Sequence, residues 1–480
     1  MKKLLLCLNL IIIAIFIITC SPSSSTKDDI GEKSFTILFT SDEHGWLEPD
    51  ENFGGASGMM ALWKNDEGYT KDGDFLILSS GDMWTGPAIS TWFAGESMAE
   101  IMNNMGYDAS AIGNHEFDFT DSILTIRAQN STFPFLAANI IEISTGEIPQ
   151  FTTPYLIKEI NDISIGIIGL SSLSTPFTTF PDYVKNYSFQ PYDETLAEYI
   201  PEIKSKGAEL IIVIGHLCPS ELVSLSNFAK ELGVSIMLGG HCHEHFSRNT
   251  HNMILAEVGP DLRTYGKIEV YFDDELDSLL DAKLSFHTNN QNERDTEIDE
   301  LTNYWKNKAD ESLAEIIGYT NTEIKDETNE IYNLVTDSWL YSFPDIDVSI
   351  TNTGGIRQTI PKGDITVETI VGVLPFNNTL LKLELTGDQL INSIRGMVFG
   401  GMTSLGGYAL SDGSTIHPDS LYDVLTTDYL YSRDDLNFSI YDTIPYNTSV
   451  HYRQPLIDWL KSIKTTSENP LDNYLDKKPR

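Results

Sequence analysis

Short apolar runs that alternate with helical patterns constrain the fold of this chain more than any other feature of its sequence. The runs lie at 35–40, 75–79, 164–170, 210–214 and 234–238. Runs of this length, bounded by Gly and Ser, are typical of strands that are covered on both faces. Helical candidates such as 97–105 and 193–206 lie between them. The alternation predicts a layered α/β domain over residues 34–286.

Five polar motifs follow strand-like segments in this region. They are SDEH at 41–44, SGDMW at 80–84, GNHEFD at 113–118, GH at 215–216 and GGHCH at 239–243. Side chains just past the carboxyl ends of strands lie where α/β sheets build active sites. Each motif alone is a weak signal, since an isolated His is more often a core or surface residue. Their occurrence together and in order predicts one shared site.

The donors in these motifs are carboxylates, imidazoles and one amide oxygen. Such a mixed set suits Zn, Mn, Fe or Co better than an all-oxygen Ca or Mg site. The donors suffice for two divalent ions if one carboxylate bridges them. Two ions about 3.5–4 Å apart can activate water and stabilise the attacking and leaving oxygens of an in-line displacement. The sequence leaves the identity of the metals open.

Together the motifs resemble the signature of the calcineurin-like metallophosphoesterases, in the arrangement of the 5′-nucleotidase/UDP-sugar hydrolase family. The GNHEFD stretch is close to that family's own form. The resemblance implies an α/β fold with an N-terminal four-layer α/β/β/α metallophosphoesterase sandwich and a C-terminal 5′-nucleotidase-type substrate domain. It also implies phosphate release from nucleotides by in-line attack of a metal-bound hydroxide.

Carried over position by position, the resemblance implies two sets of metal ligands. Asp42, His44 and His243 would hold one metal. Asn114, His216 and His241 would hold the other, with Asp82 bridging the two.

The resemblance also implies two catalytic residues, His115 and Asp118. His115 matches the histidine that stabilises the transferring phosphoryl group or helps the leaving oxygen depart. Asp118 matches the acid that orients it, because a carboxylate on one ring nitrogen fixes the tautomer and raises the basicity of the other. Glu116 is either an assisting acid or a plain loop residue.

Residues 289–308 are polar and charge-rich, which predicts a domain boundary with an exposed helix. We place the linker helix at 287–312 and the substrate-binding domain at 313–480. In that domain, NTGGIR at 352–357 resembles the family's glycine-rich loop, and an Arg there can contact phosphate at two points. The expected substrate contacts are Asn352, Gly354, Gly355, Arg357, Phe376 and Phe438.

The C-terminal region also departs from the family pattern. The upstream arginines are absent between Gly318 and Ser349, and SRDDLNF at 432–438 replaces a Gly-Gly-Asp-Gly-aromatic loop. Phe376 either stacks on the base or belongs to the core. Phe438 is the candidate for a second stacking ring, and Arg433 for a replacement phosphate contact. These departures weaken the prediction of nucleotide specificity.

The first residues predict export. Lys2 and Lys3 precede an apolar run from 4 to 18, which is shorter than the roughly 20 residues that span a bilayer. We therefore predict a signal peptide at 1–19. Cys20, at the start of a Ser-rich tether at 20–33, resembles the lipobox cysteine of a bacterial lipoprotein, and this resemblance implies lipidation at Cys20. An uncleaved anchor and ordinary secretory cleavage are the alternatives. All of these place the protein outside the cytoplasm, and the favoured form is a membrane-anchored lipoprotein facing the periplasm or the cell exterior.

Cleavage and lipidation would leave Cys218 and Cys242 as the cysteines of the mature domains. Two cysteines form no disulfide framework. The favoured interpretation is two buried small residues, with a disulfide or a soft-ligand role as the alternatives.

The charge of the chain limits its partners. With 31 Lys and Arg against 70 Asp and Glu, the net charge is −39, which disfavours nucleic acid. A phosphate site here needs local positive charge, for which metal ions are a source. The alternatives to a nucleotidase are an esterase for another phosphate ester or nucleotide sugar, and a non-catalytic surface-binding lipoprotein. The sequence does not reveal the oligomeric state.

Overall fold

The structure is a computed structural model that describes residues 32–250, 252–273, 278–290 and 293–480. The predicted signal peptide and Cys20 lie outside the described residues. Within the described part of the chain, no helix combines the length and the apolar composition needed to cross a membrane.

The strands of the N-terminal region belong mainly to two six-stranded sheets. In chain order the strands are β1 (Glu32–Thr40), β2 (Phe75–Ser79), β3 (Ala109–Ala111), β4 (Phe135–Leu136), β5 (Ile140–Glu142), β6 (Tyr155–Ile160), β7 (Ile163–Leu170), β8 (Tyr187–Phe189), β9 (Leu210–Gly215), β10 (Ile236–Leu238), β11 (His245–Thr250), β12 (Met253–Val258), β13 (Thr264–Asp273) and β14 (Ser278–Thr288). One sheet has the order β14-β13-β1-β2-β3-β4 and the other β11-β12-β10-β9-β7-β6, while β5 pairs with β8.

The helices of this region cover the outer faces of the two sheets. They are α1 (Gly55–Asn65), α2 (Ala88–Thr91), α3 (Glu96–Met105), α4 (Asp121–Asn130), α5 (Thr175–Thr178), α6 (Pro181–Val184), α7 (Tyr192–Ser205), α8 (Pro219–Glu231) and α9 (Thr296–Leu313), with a 3₁₀ turn at His115–Phe117.

Alternation along the strands explains the layers. Ile37 and Leu76 lie in the core between the sheets, whereas their neighbour Leu38 packs in the core that includes α1 and α3. In the second sheet, Ile212 faces the first sheet and Val213 faces α7 and α8. Successive side chains of a strand point to opposite faces, so apolar runs of this kind are buried twice. The predicted α/β/β/α sandwich is confirmed.

Strand direction determines where the polar motifs meet. In the first sheet, β1, β2, β3 and β4 run parallel. In the second, β7, β9, β10 and β12 also run parallel. Four of the five motifs directly follow the carboxyl ends of β1, β2, β9 and β10, and the GNHEFD motif follows β3.

The C-terminal region is a second α/β unit. Its strands are β15 (Ile316–Thr320), β16 (Val348–Thr351), β17 (Gly363–Thr366), β18 (Thr379–Thr386), β19 (Val398–Gly400), β20 (Met402–Thr403), β21 (Ala409–Leu410), β22 (Leu421–Thr427) and β23 (Tyr446–His451). Its helices are α10 (Asn329–Ser342), α11 (Val367–Val373), α12 (Gly387–Ser393), α13 (Asp428–Ser432), α14 (Phe438–Tyr441) and α15 (Gln454–Ile463), with 3₁₀ turns at Thr353–Gly355, Asp434–Leu436 and Leu471–Tyr474. A five-stranded sheet of order β19-β16-β22-β18-β23 separates two apolar cores.

The helix between the two units, α9, differs from the exposed helix expected from its composition. Ile298, Trp305 and Leu313 are at most 3% exposed, and Ile298 and Trp305 pack in the same core as α1 and α3. A few apolar residues are enough to attach this helix to the core because they share one face of the helix. This helix therefore packs as part of the N-terminal unit.

Candidate active site

The loops after β1 and β10 bring Asp42, His44 and His243 together. Nε2 of His44 lies 3.1 Å from Nε2 of His243, which in turn lies 3.5 Å from a carboxylate oxygen of Asp42. The ligand atoms of all three residues lie within 4.8 Å of one another. This is the first of the two metal-ligand sets predicted from the sequence, and its three members converge.

The second group centres on Asp82, after β2. One Asp82 oxygen lies 2.9 Å from Nε2 of His216, and that nitrogen lies 3.1 Å from Nδ1 of His241. Asp82 also clusters with His44 and His115, so its carboxylate lies within reach of both sets of donors. This is the position that a bridging ligand requires.

Asn114 adds an amide to this second group. Its Nδ2 donates to the carbonyl of Thr178 at 3.4 Å, while its buried Oδ1 has no hydrogen-bond partner. It lines the same cavity as Asp82 and His241. A buried polar atom is rarely left unpaired, so this oxygen fits a ligand position.

Backbone strain marks the same residues. Five of the seven predicted ligands adopt positive φ angles that L-residues seldom populate, and they are Asp42 (51°), His44 (46°), Asp82 (58°), His241 (78°) and His243 (56°). Each such conformation costs on the order of 1–3 kcal/mol and persists only where the surroundings enforce it. Their concentration at one point of the molecule indicates a functional site.

Glycines beside the ligands allow this crowding. A Cβ atom on Gly113 would lie 2.1 Å from Oδ1 of Asp82, and one on Gly240 would lie 3.0 Å from Oδ2 of Asp42. The need for glycine here comes from close approach and not from backbone angle, because neither residue has a positive φ.

Two of the candidate imidazole ligands, His241 and His243, have protonation states that suit metal binding. Burial, followed by the charge of His216, lowers the pKa of His241 to about 4. Burial and the charge of Arg357 lower the pKa of His243 to about 4 as well. Burial opposes protonation of His216, but the Asp82 carboxylate outweighs it and raises that pKa to about 10. His241 and His243 are therefore neutral at pH 7, and His216 would release a proton on binding a cation. This donor set fits two divalent ions.

His115 and Asp118 form the predicted pair. Nδ1 of His115 lies 2.7 Å from an oxygen of Asp118, whose other oxygen accepts from the hydroxyl of Thr179 at 3.2 Å. Burial lowers the pKa of His115, but the charges of Asp118 and Asp82 outweigh burial and raise it above the usual value. Both side chains line the cavity described below.

Glu116 has a structural role. The sequence left open whether it is an assisting acid or a plain loop residue. Its buried carboxylate accepts backbone N–H groups of Asp82 at 3.0 Å, Met83 at 2.8 Å and Gly113 at 2.6 Å. One side chain thereby ties the loop after β2 to the loop after β3. Burial raises its pKa to about 7.

Arg357 reaches this group from the C-terminal unit. Its Nη2 lies 3.3 Å from Nε2 of His44. A cavity of about 390 Å³ lies between the two units, and Asp82, His115, Asn352, Gly354, Gly355 and Arg357 are among its lining residues. The glycine-rich turn after β16 thus places a cation against the candidate metal ligands.

The two predicted stacking rings have different positions. Phe376 lines the cavity, and its ring lies 5.8 Å from that of His115 at an interplanar angle of 23°. Phe438 is fully buried in the core beneath α12 and α13, so its assignment as a substrate contact is wrong. Arg433 does line the cavity, with its guanidinium paired to the carboxylate of Asp435 at 2.7 and 2.9 Å.

The cysteines also differ from the favoured interpretation. Cys218 and Cys242 form a disulfide, with their Cα atoms 5.1 Å apart, and Cys242 is exposed. The favoured interpretation of two buried thiols was therefore wrong. The sequence alone does not show that β9 and β10 are neighbouring strands, and this pairing is what brings the two cysteines together.

Other lining residues were missed by the sequence analysis. Phe180 and Tyr183 line the cavity from the N-terminal unit and Tyr429 from the C-terminal unit. Tyr429 lies just past the carboxyl end of β22. The candidate ligands were identified by the same kind of position, so this signal could have identified Tyr429 as well. Phe180 and Tyr183 lie at and in the short helix α6 and carry no comparable signal.

Family models match most of both units. The model of the calcineurin-like phosphoesterases matches residues 35–245, and that of the 5′-nucleotidase C-terminal domain matches residues 311–409. Calcineurin-like phosphoesterases use two divalent metals, in agreement with the donor groups described above.

Similar proteins agree with these matches. The chain is 26% identical to a 5′-nucleotidase of Vibrio cholerae over 413 residues, which cover 74% of each protein. It is 25% identical over 409 residues to the trifunctional nucleotide phosphoesterase protein YfkN of Bacillus subtilis, covering 74% of this chain. The chain spans 27% of the length of YfkN, and less than two thirds of the length of two further curated relatives.

The fold is shared with a solved structure, that of a 5′-nucleotidase precursor from Thermus thermophilus. The TM-score is 0.78 at 21% identity, over 91% of this chain and 97% of the other. The chain belongs to the calcineurin-like phosphoesterases that carry a 5′-nucleotidase C-terminal domain.

Proposed function

We propose that this protein releases phosphate from nucleotides in the manner of a 5′-nucleotidase. The observation that carries the proposal is the position of Arg357, whose guanidinium lies 3.3 Å from a candidate metal ligand of the other unit, His44. A phosphate in the cavity that Arg357 lines together with Asp82 and His241 would be contacted by both units at once. The relatives named as nucleotidases and nucleotide phosphoesterases support the same substrate class.

Each residue then has a defined part. Asp42, His44 and His243 would hold one divalent ion, Asn114, His216 and His241 the other, and Asp82 both. When bound, the ions supply Lewis-acid polarisation of the phosphoryl oxygens.

Arg357 binds and orients the phosphate. His115, whose pKa the carboxylate of Asp118 raises, would neutralise charge on the phosphoryl group or give a proton to the leaving oxygen. Phe376, beside the His115 ring, covers the cavity on the side of the leaving group.

Phosphate release by the metal-loaded protein, beginning after Ser25, tests the proposal. AMP, ATP, UDP-glucose, a cyclic nucleotide, a sugar phosphate and a chromogenic phosphate ester are compared. We expect nucleotide turnover, with His115→Ala reducing kcat by about 10²–10⁴-fold and Arg357→Ala reducing kcat/KM by about 10–100-fold. Absence of turnover with two metals bound would favour the non-catalytic binding protein instead.

A second candidate is hydrolysis of a nucleotide sugar or a non-nucleotide phosphate ester. The observation that favours it is the burial of Phe438, because the residue expected to supply the second stacking ring does not line the cavity. Activity confined to UDP-glucose, the sugar phosphate or the chromogenic ester, and insensitive to Arg357→Ala, would select this candidate.

We also propose that the chain is exported and anchored through lipid on Cys20. The Cys218–Cys242 disulfide supports export, since disulfides persist mainly in oxidising compartments. Cys20→Ala should move the protein from the membrane fraction to the soluble fraction and abolish labelling with a fatty acid. A membrane fraction unchanged by this substitution would contradict lipid anchoring.

A further inference from the structure

The Cys218–Cys242 disulfide lies at the ends of two strands that both lead to metal ligands. Cys218 follows His216 by two residues after β9, and Cys242 stands between His241 and His243 after β10. The two strands are parallel neighbours, with Ile236 opposite Ile212. The cross-link therefore joins three of the four histidines assigned to the metals.

One end of the cross-link is fixed to a rigid element. Cys218 immediately precedes α8, and its backbone N–H donates to the carboxylate of Glu221 at 2.9 Å. Glu221 in turn accepts from the hydroxyl of Tyr192 at 3.1 Å. Leu217, next to Cys218, is fully buried, so the position of this end is set by the core.

The other end belongs to a loop that is exposed and strained. His241 and His243 have φ angles of 78° and 56°, and Cys242 between them is exposed. Hydrogen bonds hold the loop at Gly240, which donates to the carbonyl of Leu217 at 3.1 Å, and at Glu244, which donates to Glu257 at 2.7 Å. The backbone N–H of His241 also donates to the carboxylate of Asp42 at 3.0 and 3.2 Å. Cys242 lies beyond this bond, between the two residues of positive φ.

We propose that the Cys218–Cys242 disulfide is a positioning element of the metal site, holding His241 and His243 in the strained conformation that both metal ions require. Ligands that are fixed before binding lose less conformational entropy when a metal binds. Without the cross-link the loop can relax to ordinary backbone angles, which would turn both imidazoles away. The proposal rests on the ligands assigned above and not on the identity of the substrate.

The test compares Cys218→Ala/Cys242→Ala with the wild type by a measurement that needs no substrate. Affinity for Mn²⁺ and Zn²⁺ is measured by competition with a chromogenic chelator, and the Tm is measured with and without each metal. We expect affinity to fall by about 10–100-fold, as for other groups that orient metal ligands. The rise in Tm on adding metal should shrink accordingly.

Leu225→Ala is the matched control. Leu225 is a buried residue of α8 in the core against the second sheet, so its truncation lowers stability without altering the loop. It should lower the Tm equally with and without metal and leave metal affinity unchanged. If the double alanine variant behaves like this control, the disulfide only stabilises the fold and the proposal is overturned.

A reversible measurement covers the case in which the double variant does not fold. Metal-free wild-type protein is reduced with a phosphine, the phosphine is removed without oxygen, and two free thiols are confirmed. Metal affinity should fall on reduction and return on reoxidation. Unchanged affinity, or tighter binding through a free thiol, would overturn the proposal. None of these measurements uses a substrate, so their interpretation does not depend on the outcome of the nucleotidase assay.

Discussion

Ser174 illustrates how single residues beyond the seven candidate ligands shape the site. Its hydroxyl lies 3.1 Å from Nε2 of His241, while Nδ1 of the same ring lies 3.1 Å from Nε2 of His216. A proton on Nε2 donates to the serine and leaves the lone pair of Nδ1 facing the other donors. By accepting this proton, Ser174 can stabilise the tautomer of His241 that binds a metal through Nδ1.

Ser174→Ala should reduce affinity for the metal held by Asn114, His216 and His241 by about 10–100-fold. The measurement is metal content after dialysis against graded chelator. Ser226→Ala is the control, because it removes a buried hydroxyl that bonds only within α8, to the carbonyl of Val223. Equal metal retention in both variants would contradict the role of Ser174.

At this scale, prediction from sequence identified side chains that converge where chemistry is local, and it failed where packing decides. The candidate ligands could be predicted because each motif holds polar residues that a strand end has no other reason to place together. The assignment of Phe438 as a substrate contact was wrong because its burial depends on a core shared with residues far along the chain, such as Ile350 and Leu390, which no local pattern encodes. Predicting the disulfide would have required knowledge of which strands are neighbours in the sheet.

At the scale of secondary-structure elements, α9 shows that a few buried side chains are enough to attach a polar helix to the rest of the N-terminal unit. The indole of Trp305 is 3% exposed, donates to Glu100 of α3 at 2.8 Å and lies 4.9 Å from the ring of Phe93. Sequence composition predicted the helix but not its buried face, because the partners of Trp305 are about two hundred residues away.

Trp305→Ala should lower the free energy of unfolding of the N-terminal unit by about 3–5 kcal/mol, through the lost contacts and the cavity left behind. The adjacent Tyr304→Ala is the control. Tyr304 is 50% exposed and contacts Lys308 and the ring of Trp305 at the surface, so about 1 kcal/mol or less is expected. Urea unfolding followed by fluorescence measures both, and similar losses would contradict the anchoring role of Trp305.

The last residue of β23, His451, is a partly buried histidine that should make the C-terminal unit acid-sensitive. Burial, and then the charge of Arg453, lower the pKa of His451 to about 3. Its Nδ1 accepts the backbone N–H of Arg453 at 3.4 Å, which a proton on Nδ1 would prevent. Between pH 6.5 and 3 the unfolded chain binds this proton and the native chain does not, so stability falls as the pH falls.

His451→Gln should therefore lose less stability than the wild type between pH 7 and pH 4. Urea midpoints at several pH values measure the difference. His417→Gln removes an exposed imidazole of the same unit and serves as the control. Parallel curves for His451→Gln and the wild type would show that this histidine does not contribute to the acid response.

At the scale of the whole molecule, the site exists only because two units meet. The metal ligands come from the N-terminal unit, and Arg357 and Phe376 come from the C-terminal one. Both units could be predicted from sequence, since each has its own strands and core. Their mutual placement could not, because the contact of Arg357 with His44 joins residues 313 positions apart.

The net charge of −39 leads to a prediction about catalysis under the proposed function. An anionic substrate approaching the molecule is repelled over long range, and local cations act only near the site. The screening length falls from about 30 Å at 0.01 M salt to about 10 Å at 0.1 M, so added salt removes the repulsion before it weakens contacts inside the cavity. We expect kcat/KM for AMP to rise several-fold over this interval, the reverse of attractive steering.

A monoanionic phosphodiester, measured in parallel, should show a smaller rise because it carries less charge. A fall of kcat/KM with salt for AMP would mean that attraction by Arg357, Arg433 and the bound ions extends beyond the cavity and controls association.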